Sequence, residues 1–275
     1  MIKHVIHIAD LHIPNKYKDR PYMDMIKVGL AEVLKVTKEW DKDEFRIVLV
    51  GDVFHNKINI TNEARQVFHD TLNYLNAIGK TIIIAGNHDM LENNHDRMDS
   101  ISPTFDIKDA FPNITYADKE MFYQSGYFKD DNVIWVLYSM FDKFERPNID
   151  GLKAKYPDCR IIGLYHGDVI GSVTDTGRVS ENGTDGKIFN GCDCVMAGHI
   201  HRYQTIKKQG VQIVYSGSMF QQNAGENTTG HGFVVWDLED MGYKLHEVSN
   251  KYKIYKFKIK SYDDIKNDTE KLLNL

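Results

Sequence analysis

Phe45-Arg46-Ile47-Val48-Leu49-Val50-Gly51-Asp52-Val53-Phe54-His55 is a β-branched, apolar run that stops at a glycine and a carboxylate. A run of this length and composition reads as a strand buried on both faces, and the residues after it are types that bind metal ions. The same pattern recurs four more times. Val5 to Ala9 leads into Asp10-Leu11-His12, and Thr81 to Ala85 leads into Gly86-Asn87-His88-Asp89. Arg160 to Leu164 leads into Tyr165-His166-Gly167, and Cys192 to Ala197 into Gly198-His199-Ile200-His201. In open α/β sheets ligands sit beyond the carboxyl ends of the strands, so five such ends can converge on one point. Single GD, GNH or GHxH strings arise by chance. Five in one chain, each at a strand end, point to a two-metal phosphoesterase site.

Working outward, helical patterns at about 21–39 and 62–78 separate strands near 2–9, 45–50 and 80–85, a repeated βαβ arrangement. After Phe111 the chain turns strand-rich, with Val133–Tyr138, Arg160–Leu164, Val195–Ala197, Val211–Tyr215 and Phe233–Trp236. An α/β fold of two sheets packed between helices suits this order.

The residue types carry a chemistry. A phosphodiester is attacked by hydroxide, and two cations ~3.5–4 Å apart both generate that nucleophile and neutralise charge on the phosphoryl oxygens. One carboxylate must bridge them, and Asp52, alone in its motif, is the candidate. Imidazole, carboxylate and amide oxygen without thiolate favour manganese, iron or zinc over copper(I) or an iron–sulfur cluster.

The motif set, over about Met1 to Asp237, resembles the calcineurin-like metallophosphoesterases. Within them it is most similar to SbcD-type nucleases of the meiotic-recombination-eleven family, which includes phage recombination subunits. Asp52-Val53-Phe54-His55, Asn87-His88-Asp89, and Gly198-His199-Ile200-His201 followed by Tyr215-Ser216-Gly217-Ser218 carry that narrower likeness. The serine/threonine phosphatase branch instead has GDxxDRG and GNHE, where this chain has Phe54-His55-Asn56 and Asp89. The resemblance implies a four-layer αββα sandwich of two mixed sheets flanked by helices. It implies Asp10, His12 and His201 on one metal, Asn87, His166 and His199 on the other, and Asp52 between them. It implies manganese, with magnesium, iron or zinc as alternatives. His88 would protonate the leaving oxygen or stabilise the charge building on it, Asp89 would fix the His88 tautomer and raise its basicity, and His55 would contact the scissile phosphate. The implied activity is DNA exo- or endonucleolytic cleavage in double-strand-break processing and recombination, with DNA and an SbcC-type ATPase as partners. Two other readings stay open: a phosphoesterase acting on a nucleotide or phosphoprotein, and a metal-binding scaffold for an ATPase.

Composition sets limits. With 275 residues and 42% hydrophobic content the chain can bury one large α/β core, expected over 1–250 as the catalytic domain. No apolar stretch is long enough to span a bilayer, and the first ten residues run straight into a ligand rather than a cleavable signal; a soluble, intracellular protein is expected. Cys159, Cys192 and Cys194 cannot form a disulfide framework, and the latter pair reads as buried thiols. The net charge of −5 argues against tight DNA binding by the protein alone, although two divalent ions would bring it close to neutral.

Four further segments carry expectations. Lys251 to Lys260 alternates lysine with apolar residues, as in an edge strand with one solvated face or a phosphate-tracking strip. Ser261 to Leu275 reads as a short helix, so 251–275 is either a terminal strand–helix or the start of a capping segment. Residues 168–190 are polar and glycine-rich and read either as a mobile loop facing substrate or as an uninvolved surface excursion; 221–232 form a second such segment in which His231 is structural. Family analogy suggests a homodimer through helices near Tyr22–Lys38 and Met90–Lys108, whose apolar residues equally suit a domain core.

Overall fold

A computed structural model describes residues 1–15, 21–94, 97–105, 110–142, 145–208 and 210–256. Its elements in chain order are β1 (His4–Ile8), α1 (Tyr22–Thr37), β2 (Phe45–Val50), α2 (Asn62–Ile78), β3 (Thr81–Ile84), α3 (Ser102–Phe105), β4 (Ile114–Tyr116), α4 (Ala117–Glu120), β5 (Gly126–Asp130), β6 (Val133–Tyr138), α5 (Ile149–Lys155), β7 (Arg160–His166), a 3-10 turn (Gly186–Phe189), β8 (Cys194–Gly198), β9 (Gln204–Lys208), β10 (Val211–Tyr215), β11 (Gly232–Asp237) and β12 (Tyr243–Glu247).

Among the described residues these strands form two six-stranded sheets, ordered β12-β11-β1-β2-β3-β4 and β5-β6-β7-β8-β10-β9. Both are mixed. β1 to β4 run parallel, with β11 antiparallel beside β1 and β12 antiparallel beside β11. β6, β7, β8 and β10 run parallel between antiparallel β5 and β9. Parallel strands buried on both faces need apolar residues at successive positions. β2, β6 and β8 are buried throughout, as their unbroken apolar runs require.

The sheets pack face to face over a core that includes Val5, Val48, Ile82, Trp135, Leu164, Met196, Val214 and Trp236. The outer face of the first sheet is covered by α1 and α2 through Met25, Leu30, Val33, Phe68 and Leu72. The outer face of the second is covered more thinly, by Ile149 and Leu152 of α5 and by Phe189. The αββα order therefore holds, with unequal outer layers. At the end of the sandwich away from the site, buried Arg46 of β2 makes a two-pronged contact to Asp130 at the end of β5, at 2.6 and 2.8 Å, and so ties the first sheet to the second.

Three expectations change. The stretch Met90–Lys108 is not one helix: Leu91 to Ile101 has turns and bends where described, and only α3 is helical. Asp99 is the reason, since its carboxylate takes the Ile101 and Ser102 N–H groups at 2.7 Å each and so starts a new helix there. Lys251 to Lys256 forms no strand, while the rest of that run and the expected helix 261–275 lie outside the described residues. Residues 168–190 form a laced loop, with bridges Val169 to Thr184 and Val173 to Val179 and backbone bonds from Ile170 to Thr184 and Gly171 to Ser180. Other readings stand: Cys192 and Cys194 are buried free thiols, and His231 is buried against Ser218 and the Asn227 carbonyl.

Candidate metal centre

All five motifs emerge at one edge of the sandwich. Asp10, Asp52 and Asn87 follow β1, β2 and β3 of the first sheet; His166 ends β7, and His199 and His201 follow β8 of the second. The chain must turn sharply there. Asp10, His12, Asp52 and His199 all adopt positive φ, between 46° and 95°. Such backbone costs on the order of 1–3 kcal/mol per non-glycine residue and persists where function holds it.

Glycine brings the strand ends close enough. A Cβ on Gly51, which has φ 75°, would lie 2.2 Å from His166 Nδ1; one on Gly86 would lie 2.2 Å from Asp52 Oδ1; one on Gly198 would lie 2.1 Å from the Val50 carbonyl and 2.9 Å from His166 Nδ1. His166 thus sits in a cradle made by the glycines of three motifs.

Of the four candidate metal-holding groups among the described residues, two are Asp10/His12/His201 and Asp52/His166/His199; the other two, His12/His55/His88 and Asp175/His201/Glu226, flank them. His12 Nε2 and His201 Nε2 lie 2.9 Å apart. Asp52 reaches both groups, with Oδ2 3.5 Å from His12 Nε2 and Oδ1 3.3 Å from His166 Nε2. Asn87 Oδ1 lies 2.8 Å from His199 Nδ1 and 3.3 Å from His166 Nε2. Asp10 accepts the His199 N–H on both oxygens, at 3.0 and 3.1 Å. The ring orientations are set from behind. His166 Nδ1–H donates to the Val50 carbonyl at 2.9 Å, and His201 Nδ1–H to Glu226 Oε1 at 2.8 Å. Each ring is thereby aimed with Nε2 inward, where that nitrogen would offer a lone pair to a metal once it gives up its proton, the usual arrangement behind a metal-bound histidine.

The electrostatics fit cations. Burial works against charge on His201, but the Glu226 hydrogen bond and the Asp10 carboxylate outweigh it and raise its pKa to about 9. Burial likewise opposes charge on His166, yet Asp52 raises it to about 10. His12 is pushed well below its ordinary value by burial, and His199 to about 4 by burial and the nearby His166 charge. Burial lifts Asp10 to about 6; it also opposes charge on Asp52, which neighbouring imidazoliums, His166 first, hold well below the carboxylate range. Protons on His201 and His166 therefore supply the positive charge that these buried carboxylates demand. Two divalent ions would supply it better, and the nitrogen and oxygen donors, with no thiolate, suit them.

His88 and His55 stand at the mouth. The rings of His12, His55 and His88 form a cluster, with centroids 4.9 Å apart for His12–His88 and 5.7 Å for His55–His88. The expected link from Asp89 to the His88 ring is corrected. Asp89 is fully buried, and its carboxylate accepts the N–H groups of Gly86 at 2.9 Å, Phe54 at 3.0 Å and Val53 at 3.2 Å. Burial and the Asp52 charge raise it to about 7 against those three donors. The His88 ring is instead fixed by its Nδ1–H donating to the His55 carbonyl at 2.7 Å. The other site residues named from the sequence are brought together as expected.

Sequence reasoning missed the supports. Glu226 lies in an irregular loop with no motif around it, yet it orients His201. Asp168 approaches His199 at 3.7 Å and Asp175 approaches His201 at 3.8 Å, so the 168–190 loop does face the site. Tyr215 donates its hydroxyl to the Gly167 carbonyl at 2.8 Å and accepts the Val169 N–H at 3.0 Å, fixing the loop after His166. From the sequence, only the site-facing reading of 168–190 and the Tyr215-Ser216-Gly217-Ser218 motif, noted for its family likeness, pointed toward any of this.

Known proteins share much of this sequence. The chain is 32% identical over 259 residues to the uncharacterized protein R555 of Acanthamoeba polyphaga mimivirus, over 91% of this chain and 18% of that protein. It is 26% identical over 246 residues to the SbcD component of nuclease SbcCD of Bacillus subtilis (strain 168), over 78% of this chain and 61% of that one. The chain therefore spans less than a fifth of the viral relative and about three fifths of the bacterial one. A solved structure described as a novel archaeal phosphodiesterase superposes with a TM-score of 0.40 at 12% identity, covering 88% of this chain and 97% of that one. A family model for calcineurin-like phosphoesterases matches residues 3–203, a span that holds all seven candidate ligands. With that match and this centre together, the chain belongs to the calcineurin-like phosphoesterases, a family of metal-dependent hydrolases.

Proposed function

We propose that this protein is a manganese-dependent DNA nuclease that hydrolyses phosphodiester bonds during recombination and break processing. The observation that carries a two-cation reaction is Asp52, whose two oxygens face His12 and His166 in separate ligand groups. Asp10, His12 and His201 would hold one cation and Asn87, His166 and His199 the other. Bound there, the ions supply an activated water and charge neutralisation on the phosphoryl oxygens. The protein's own groups do the rest. His88, oriented by the His55 carbonyl, keeps Nε2 for the leaving oxygen, and the His55 ring beside it meets the phosphate. The likeness to the SbcD component of a bacterial nuclease supports DNA as substrate, and an SbcC-type ATPase and a homodimer belong to the same proposal.

One observation favours a smaller substrate. Asp168 and Asp175 stand beside His199 and His201, and carboxylates at the rim repel a polyanion more than a single phosphodiester. Hydrolysis of end-labelled single- and double-stranded DNA with manganese, beside bis-p-nitrophenyl phosphate and Asp52→Ala, decides between the two. Asp52-dependent cutting of DNA supports the nuclease. Turnover of the small diester alone refutes it for the isolated chain.

A further inference from the structure

Beyond β12 the chain passes from Val248 to Lys256 as a strap without helix or strand. It starts with the Val248 N–H bonded to the His231 carbonyl at 2.9 Å, and near its end the Gln221 side chain holds Ile254. The Gln221 amide accepts the Ile254 N–H at 2.8 Å and donates to the Ile254 carbonyl at 2.9 Å, the double contact that one strand residue makes with another. The same nitrogen donates to the Glu226 carbonyl at 3.1 Å. Gln221 is only 4% exposed while Ile254 is half-buried, so an amide left without these partners would be largely shielded from water and costly.

From Gln221 the contacts continue to the metal centre. Glu226 takes the His201 ring N–H on Oε1 at 2.8 Å and the Gln222 N–H on Oε2 at 2.7 Å. Gln222 donates from its side chain to the Asp10 and Leu11 carbonyls, at 3.4 and 3.3 Å, and accepts the Tyr22 hydroxyl of α1. Asp10 and His201 share one ligand group. In the other group the rings are anchored differently, His166 by the Val50 carbonyl and His199 by Asn87, with only the His199 backbone N–H shared with Asp10.

We propose that the strap seated on Gln221 positions one cation site and not the other. With Ile254 docked, the 221–226 loop is held and Glu226 keeps the His201 ring aimed inward. With the strap released, the Asp10/His12/His201 site loosens while the Asp52/His166/His199 site keeps its grip. Gln221 is then a positioning residue, and the seating of the strap becomes a control on metal occupancy. This inference rests on the two-metal reading.

The test is calorimetric titration of manganese into the full chain as wild type, Gln221→Leu, Ile254→Pro and the double variant. Circular dichroism melts check that each is folded. Two binding steps are expected in the wild type. Each single variant should weaken one step roughly tenfold, the low end for groups behind metal ligands, and leave the other within about twofold. The double variant should be no weaker than the worse single one, because both cut the same contact. Unchanged steps in the variants, equal weakening of both steps, or additive losses would overturn the strap's role while leaving the two-metal reading intact. A wild type that takes up no manganese would remove both.

Discussion

Replacing Asp89 with alanine should damage the frame of the site rather than its proton transfer. The Asp89 carboxylate holds three buried N–H groups, those of Val53 and Phe54 beyond β2 and that of Gly86 beyond β3. It thereby fastens the loop that carries Asp52 and His55 to the loop that carries Asn87 and His88. Each buried donor left without an acceptor costs about 1–3 kcal/mol. Allowing for partial entry of water, Asp89→Ala should lose about 4 kcal/mol, a large share of the roughly 5–15 kcal/mol typical of a folded domain. Asp89→Asn keeps one acceptor oxygen but turns an N–H toward another donor, so about half that loss is expected. Urea unfolding in EDTA reads both values without interference from metal. If Asp89 worked through the His88 ring, Asp89→Asn would instead keep wild-type stability and shift only the pH profile of turnover. An Asp89→Ala protein within about 1 kcal/mol of wild type would refute the clamp.

Other outcomes separate the roles of the site residues. Asp52→Ala should abolish metal-dependent hydrolysis and weaken both manganese steps, whereas His88→Ala should keep manganese binding and lose roughly 10²–10⁴-fold in turnover, as for loss of a general acid; equal loss of metal by both would contradict that division. Gly198→Ala would press a methyl against the Val50 carbonyl and His166 Nδ1, so metal affinity should fall at least roughly tenfold, measured by titration beside a melting curve. Titration in buffers of different ionisation heat should show proton release as manganese binds, because His201 and His166 hold protons up to about 9 and 10 in the metal-free protein. Affinity should therefore climb with pH through neutrality. The same shifts fix the sign for metal-free stability. Both pKa values are raised on folding, so that contribution is full below about pH 6.5 and is lost as pH rises through about 9 to 10; a metal-free protein that gains stability over that range would disprove it.

The ligands are readable because each announces itself locally. A buried parallel strand needs an unbroken apolar run, and a glycine followed by a carboxylate or imidazole is conspicuous at its end. β2, β6 and β10 accordingly run over the stretches expected from sequence. The edge strands are not readable. β5, β9 and β12 are largely half-buried or exposed and carry lysines and a glycine, so it is pairing with the buried neighbouring strands β6, β10 and β11 that makes them strands. Likewise Asp89 adjoins His88 in sequence, which suggests a pairing, but the distant Val53 and Phe54 N–H groups claim its carboxylate. Glu226 and Gln221 act through contacts that no periodicity marks.

Ownership of the centre is divided between the two sheets: Asp10, Asp52 and Asn87 belong to one, His166, His199 and His201 to the other. An ion bound among them is therefore a fastener across the sandwich, at the end opposite the Arg46–Asp130 pair. Neither half supplies the full ligand set alone, so bound metal would tighten the join between the sheets and stabilise the folded chain further. At a free concentration a hundredfold above its dissociation constant, each ion would add roughly 2.7 kcal/mol against unfolding. Metal scarcity would then act on how long the protein survives proteolysis as well as on how fast it works, and a starved cell would lose the enzyme itself.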